Sequence, residues 1–498
     1  TTAPLSRDEG ETIVEGMWKF PPTRRRSVVV LACVISVIAA CRPGPSSPVS
    51  DQSQDASSAV HVLRRNTQNV VILLLDCVRA DHIGAYGYSR STTPNLDALA
   101  IDAVLFEQAI SQSNWTKPSI VSLFTGTYLS QHLITDGRLG GRIEDDGSIP
   151  TGHVMVEEFT TLAEHMSRGG FATGGFVNQG HLPAHLGFAQ GFDVYESGLH
   201  DPEVEQFFEA WVNQLGDRRF FAYLHLLDLH FPYTTQDHLD IFNDDLSERP
   251  MTRLMQSAAG GEEIRRRASS DGLTQENVQE LVGLYDGELL GVDDRLGNVV
   301  RYLKESGLYD STLIIVTADH GEAFLEHNYF EHGENLLYSE LIRVPLIIKF
   351  PSRQHAGQRI SAPAQLIDIL PTLQEHFGLA TSQEVGGTSL VGLIEGTATP
   401  HTVLSELSDL DGRKALYYGG RKFIFQASGE AEVFDYTTDP LDLVDLADGV
   451  APDILGEAKT VLQELLARNE EFAKEMAVAK RPLNQREIER LRSLGYIR

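Results

Sequence analysis

Two carboxylates and one imidazole set the chemistry this chain can carry. Asp76 ends the apolar run Val70 to Leu75, and Asp319-His320 end the run Leu313 to Thr317. Both runs are short, continuous and rich in branched residues, the pattern of buried strands in a parallel sheet. A residue just past the carboxyl end of such a strand faces the crevice where open α/β sheets hold ligands. A lone buried carboxylate is costly, so each Asp needs a partner. Oxygen ligands from two strand ends and a nitrogen ligand from His320 suit one divalent ion. For Asp76 taken by itself a helix N-cap is the alternative reading, and spacing alone does not prove that the two strand ends meet.

Three stretches carry a family resemblance. NVVILLLDCVRADHIGAYGYSRSTTPNLD (69–97) and TLIIVTADHGEAFLEHNYFEH (312–332) flank SQSNWTKPSIVSLFTG (111–126). In order and spacing they resemble the metal-binding and nucleophile segments of the sulfatase family, within the alkaline phosphatase superfamily. The similarity runs from residue 68 to residue 447, and the closing LRSLGYIR resembles the tail of many members. The resemblance implies a metal site of Asp76, Thr116, Asp319 and His320, with Thr116 in the nucleophile position; Lys117 touches the anion or faces water. It gives His230, in LDLHFPY, a contact with the sulfuryl or phosphoryl group. Asp228 lies two residues earlier and in an extended segment faces the same side, where it orients His230 or binds a second ion. His332 belongs to the same pocket, as a second-metal ligand or as proton donor to the leaving group. Arg79, of the recurring D-x-x-R-A-D-H segment, braces its loop or touches substrate.

The departures are informative. Cys77 stands where typical sulfatases carry a second metal-binding Asp. It reads as a buried structural cysteine, with thiol ligation of a soft metal as the alternative. The modification signature needs Cys or Ser first and Arg fifth, whereas the chain has Thr116-Lys117-Pro118-Ser119-Ile120. No formylglycine is expected, because oxidising threonine gives a ketone. A threonine hydroxyl is a poor nucleophile unless a bound divalent ion stabilises its alkoxide. Pro118 is expected to open a helix whose amides near Ser119 and Ile120 meet anionic oxygens, and an N-cap is the structural alternative for Thr116. His320 and the missing second Asp favour Zn²⁺ or Mn²⁺, with Ca²⁺ and Mg²⁺ open.

The elements that must position these residues read as an α/β fold. We expect a mostly parallel central sheet with helices on both faces, alkaline phosphatase/sulfatase-like, plus a smaller C-terminal α+β domain. Strands are expected at 171–177, 220–227 and 341–350, where Pro345 argues for the start or edge of a strand. A long helix over 276–304 carries Leu281, Leu284, Tyr285, Leu289, Val292 and Leu296 at helical spacing. Antiparallel strands follow at 402–405, 414–418 and 421–426, then a helix over 454–475. The expected divisions are an N-terminal extension and lipoprotein signal peptide at 1–40, a flexible tether at 41–67, a catalytic domain at 68–395 and a small C-terminal domain with terminal helices at 396–498. Segments 133–155 and 237–270 read as surface excursions that select the substrate.

Met17 is a plausible start for a basic n-region, with Lys19 and Arg24 to Arg26, and a short apolar run ending in IAAC. That pattern predicts lipidation of Cys41 and a membrane-anchored enzyme of the bacterial cell envelope, facing the periplasm or exterior. Cys33 falls in the removed segment, so no intramolecular disulfide is expected. The net charge of −29 argues against nucleic acid as a partner. The leading function is hydrolysis of phosphate esters, diesters or phosphonates through a threonine nucleophile. Sulfate-ester hydrolysis, phosphotransfer to a lipid or glycan, and a non-catalytic metal-supported binding protein are the alternatives.

Overall fold

The computed structural model describes residues 68–489 except 136–150, 234–237, 239–240, 244–248, 258, 271, 334–335, 381–383, 408–411, 476–478, 483 and 486–487. Cys41, the expected signal segment and tether, and the closing LRSLGYIR lie outside the described residues.

The apolar runs form the expected strands. A nine-stranded sheet contains β1 (Asn69–Leu75), β2 (Val104–Ile110), β3 (Ala172–Val177), β4 (Val194–Ser197), β5 (Phe220–Leu226), β6 (Thr312–Thr317), β7 (Arg343–Lys349), β8 (Arg359–Ile360) and β9 (Ala364–Gln365). Their spatial order is β8-β2-β7-β6-β1-β5-β3-β4, with β9 on β2. All pairings are parallel except those of β7, which is antiparallel to both β2 and β6. In β1, β3, β5 and β6 every residue is buried, as expected of strands covered on both faces. The register sets Leu74 of β1 beside His225 of β5 and Thr317 of β6, so Asp76 and Asp319 leave neighbouring strands at one end.

Pro345 departs from the expectation of an edge. It sits inside β7, a strand paired on both sides, and a register shift between Val344 and Leu346 removes the need for its missing N–H. Its carbonyl accepts from Thr317 Oγ1 at 2.7 Å.

Helices α1 (Pro94–Ile101), α2 (Thr116–Thr125), α3 (Leu162–Arg168), α4 (Asp201–Leu215), α5 (Gln275–Glu305) and α6 (Ile369–Phe377) surround this sheet. The long α5 is a scaffold. Tyr285 Oη donates to Cys77 O and accepts from Arg79 N, both at 2.9 Å, and so clamps the turn after β1. Asp293 accepts from Asn95 N and Leu96 N, holding the first turn of α1.

A second, four-stranded antiparallel sheet, β10 (Val403–Glu406), β11 (Lys414–Tyr418), β12 (Arg421–Phe425) and β13 (Ala431–Phe434), lies C-terminal to the first. One face buries Leu416, Phe423 and Val433 with Ala458 and Leu462 of α7 (Pro452–Ala473). Its other face buries Ala415, Tyr417 and Ile424 against Leu337, Leu341 and Ile342. Glu406 N donates to Gln112 O at 2.9 Å, joining β10 to the segment after β2. Among the described residues no helix is long and apolar enough to cross a membrane.

Candidate active site

The carboxyl ends of β1, β5 and β6, with the segment after β2, converge on one buried cluster. Asp76 and Asp319 are both fully buried. Asp76 Oδ2 accepts from Gln179 Nε2 at 2.8 Å and lies 3.1 Å from His225 Nε2. Burial pushes the Asp76 carboxyl up, but the His225 hydrogen bond and the imidazoles of His320 and His230 outweigh it and hold Asp76 below the usual carboxylate range. Asp319 is pushed the other way, by burial and by the neighbouring Asp76 charge.

Asp319 Oδ1 accepts from Cys77 N at 3.3 Å and from His320 N at 3.0 Å. Its Oδ2 is buried without a hydrogen-bond partner, 3.4 Å from His320 Nε2. His320 Nδ1 donates to Gly321 O at 2.9 Å, which leaves the Nε2 lone pair facing the pocket, 3.3 Å from Thr116 Oγ1. Gly321 is required here, because a Cβ would collide with Glu340 O.

The orphaned Asp319 oxygen decides the fit of a divalent cation. Asp76, His225 and Asp319 offer ligand atoms within 4.8 Å of one another, and a cation is what an unsatisfied, fully buried carboxylate oxygen lacks. The residues present fit a metal ion.

Thr116 is the first helical residue of α2, not the cap. Trp115 is the N-cap, and the helix starts at Thr116, two residues before the start expected at Pro118, which lies within the first turn. All of α2 is buried. Lys117 is buried, with Nζ 6.0 Å over the Phe188 ring.

His230 and His332 stand together, with ring centroids 4.9 Å apart, and the His332 ring lies 4.3 Å from that of His320. His230 Nδ1 donates to Phe231 O at 2.6 Å, and burial pushes its pKa down to about 4. His332 Nδ1 lies 3.0 Å from Glu322 Oε1.

One expected contact is placed elsewhere, and Arg79 takes the bracing place of its two readings. Asp228 does not share a side with His230, because the chain turns after β5 instead of staying extended. His230 N donates to Leu227 O at 2.8 Å, and Asp228 N donates to Asp201 Oδ2 at 2.9 Å. The Asp228 side chain instead lines a polar cleft of about 400 Å³ with Arg295, Asn298 and Arg301. Arg79 is taken by carboxylates, Asp81 at 2.8 Å and Glu326, and by Glu322 O at 3.0 Å, so it braces the loops after β1 and β6.

A family model described as Sulfatase matches residues 68–379, which contain every residue of this cluster. The chain belongs to the sulfatase family. It is 33% identical over 438 residues to the N-acetylglucosamine-6-O-sulfatase of Bacteroides thetaiotaomicron, covering 70% of this chain and 73% of that protein. Identity to Arylsulfatase K of Xenopus laevis is 27% over 209 residues, 39% of this chain and 38% of that protein. Among solved structures, the Phosphonate Monoester Hydrolase of Agrobacterium radiobacter shares the fold, with a TM-score of 0.62 and 19% identity over 81% of this chain and 96% of that chain. Membership makes the chain a sulfatase-family ester hydrolase, in a family of metal-dependent enzymes.

Sequence reading missed part of this sulfatase-family pocket. His225, Gln179 and Glu322 carry no spacing signal of their own. The one hint was a histidine inside the otherwise apolar and aromatic strand FFAYLHL, where a polar side chain needs a buried partner. Cys77, read as structural, lies 3.1 Å from Asp76 and 3.8 Å from His332.

Proposed function

We propose that this sulfatase-family enzyme hydrolyses phosphate esters, diesters or phosphonates through Thr116. The observation that carries this reading is the Thr116 hydroxyl at the head of α2, 3.3 Å from His320 Nε2 in the pocket of Asp76 and Asp319. Asp76, Thr116, Asp319 and His320 would hold a divalent cation, which when bound supplies the charge that favours a threonine alkoxide and the anionic ester oxygens. Thr116 Oγ forms the bond to phosphorus as the bond to the leaving oxygen breaks, and the hydroxyl proton passes to solvent. His332, oriented by Glu322, protonates the leaving oxygen. Water then cleaves the phosphothreonine, releasing phosphate, a phosphate monoester or a phosphonate and restoring the hydroxyl. His230, with its Nδ1–H fixed on Phe231 O, offers Nε2 as an acceptor.

The threonine favours phosphorus over sulfur. A sulfated threonine lacks the second hydroxyl through which hydrated formylglycine expels sulfate, whereas phosphothreonine remains open to water. Similarity of fold to a phosphonate monoester hydrolase supports the same direction. Sulfate-ester hydrolysis is the second reading, favoured by the relative named as an N-acetylglucosamine-6-O-sulfatase. A panel of aryl sulfates, phosphate monoesters, diesters and phosphonates on metal-reconstituted protein separates the two. Turnover is expected on the phosphorus esters, and turnover confined to aryl sulfates would overturn the reading. An acceptor alcohol that diverts product from free phosphate would instead identify a transferase.

A further inference from the structure

Building on the metal-centre reading above, we propose that Cys77 is itself a ligand of that centre, and that its thiolate makes the site one for Zn²⁺ and not for Ca²⁺ or Mg²⁺. Cys77 Sγ lies 3.1 Å from Asp76 Oδ1 and 3.8 Å from His332 Nδ1. Sγ and one ring nitrogen each of His320 and His332 fall within 4.8 Å of one another, as do ligand atoms of Asp76, Cys77 and His230. Tetrahedral zinc with ligands at 2.0–2.3 Å holds its donors about 3.3–3.8 Å apart, and Asp76 Oδ1 lies 3.1 Å from Cys77 Sγ and 3.7 Å from His320 Nε2, so Cys77 joins Asp76 and His320 on one ion while His332 keeps its place as proton donor.

A second observation is independent of the thiol. Two fully buried carboxylate oxygens beside it, Asp319 Oδ2 and Glu322 Oε2, have no hydrogen-bond partner, while the other Glu322 oxygen holds His332 Nδ1 at 3.0 Å. Unpartnered carboxyl oxygens in a buried pocket of imidazoles and sulfur mark a place built for a cation.

The donor set selects the ion. Calcium takes six to eight oxygens and magnesium keeps octahedral oxygen geometry, whereas sulfur with imidazole suits zinc. On binding, the Cys77 S–H bond breaks, the sulfur pair forms the bond to the ion, and the proton leaves to solvent. The competing arrangement is a thiol that only donates its hydrogen to Asp76 Oδ1.

X-ray absorption at the zinc edge, on zinc-loaded wild-type protein, is expected to show a sulfur scatterer at about 2.3 Å. Cobalt-loaded wild-type protein is expected to show a sulfur-to-cobalt charge-transfer band that Cys77→Ser and Cys77→Ala lose while keeping the d–d bands of bound cobalt. Cys77→Ser should weaken zinc by more than the roughly 10- to 100-fold that disturbing an outer-shell partner costs. A bound ion ringed by nitrogen and oxygen alone overturns the thiolate assignment and leaves the metal-dependent hydrolase standing. Wild-type protein that takes up neither ion overturns both. The absorption spectrum is recorded on wild type, so it decides the matter even where a Cys77 variant does not fold.

Discussion

At the scale of single residues, the proposed mechanism gives Thr116 and Asp319 separable tasks. Thr116→Ala should fold and still take up metal, but lose several orders of magnitude in kcat, with direct water attack leaving a remnant. Thr116→Ser keeps the hydroxyl and should retain far more activity. Rapid quenching with a phosphorus ester, followed by mass spectrometry, should find phosphate on Thr116, and near-wild-type turnover by Thr116→Ala would remove it from the mechanism. Asp319→Ala should lose the bound ion as well as turnover, read by elemental analysis, and unchanged metal content would refute the ligand role. Asp76, Asp319 and His320 were legible as a group because they lie within three residues of the ends of two buried strands. His225 and Gln179 were not. Which polar side chain meets Asp76 depends on the order β6-β1-β5-β3, and no pattern within a strand encodes its neighbours.

At the scale of elements, one residue at the head of α4 governs the loop that carries His230. Asp201 accepts from Leu227 N at 2.9 Å, from Asp228 N at 2.9 Å and from Asn178 Nδ2 at 2.5 Å, so it ties the exits of β3 and β5 together. Asp201→Ala leaves those buried donors unpaired and should cost about 1–3 kcal/mol for each donor left unsatisfied. KM should rise with it as His230 loses its place. Burial, and next the Asp228 charge, raise the pKa of Asp201 above its ordinary 3.8. For a raised acid, the contribution to stability is complete below the unfolded value and fades as pH climbs through the folded value. The stability gap between wild type and Asp201→Asn, from urea melts, should therefore be wider at pH 4 than at pH 8, and a gap that widens with pH would contradict this. The strands and the long α5 were readable from apolar runs and helical spacing. The turn at Leu227 to His230 was not, since a run leading into Leu227 gives no sign of where extension stops, and this is why Asp228 was placed on the wrong side.

At the scale of the whole molecule, His401 links the second sheet to the first layer. Its Nε2 lies 2.9 Å from Asp368 Oδ2, and Asp368 also accepts from Gln365 N and Thr388 N. Burial opposes the charged imidazole, but the Asp368 carboxylate outweighs it and raises the His401 pKa above 6.5. This contribution is whole below pH 6.5 and is lost as pH rises through the folded value. His401→Gln should lower Tm at pH 6 and have little effect at pH 9, and an equal loss at both would exclude a charged pair. At the amino end, mass spectrometry of the mature protein should find a diacylglycerol-modified Cys41, and an unmodified protein beginning at another residue would rule that out. The main-chain bond from Glu406 to Gln112 has a consequence for synthesis. The pocket already needs contacts across 242 residues, from Cys77 to Asp319, and the nucleophile segment gains the last of its backbone bonds, Glu406 N to Gln112 O, when β10 arrives. Pairings of such long range form late. A chain still emerging from the ribosome therefore has Asp76 and Thr116 in hand without a finished catalytic centre, and it stays silent towards the esters around it until Asp319, His320 and the strand β10 have followed them.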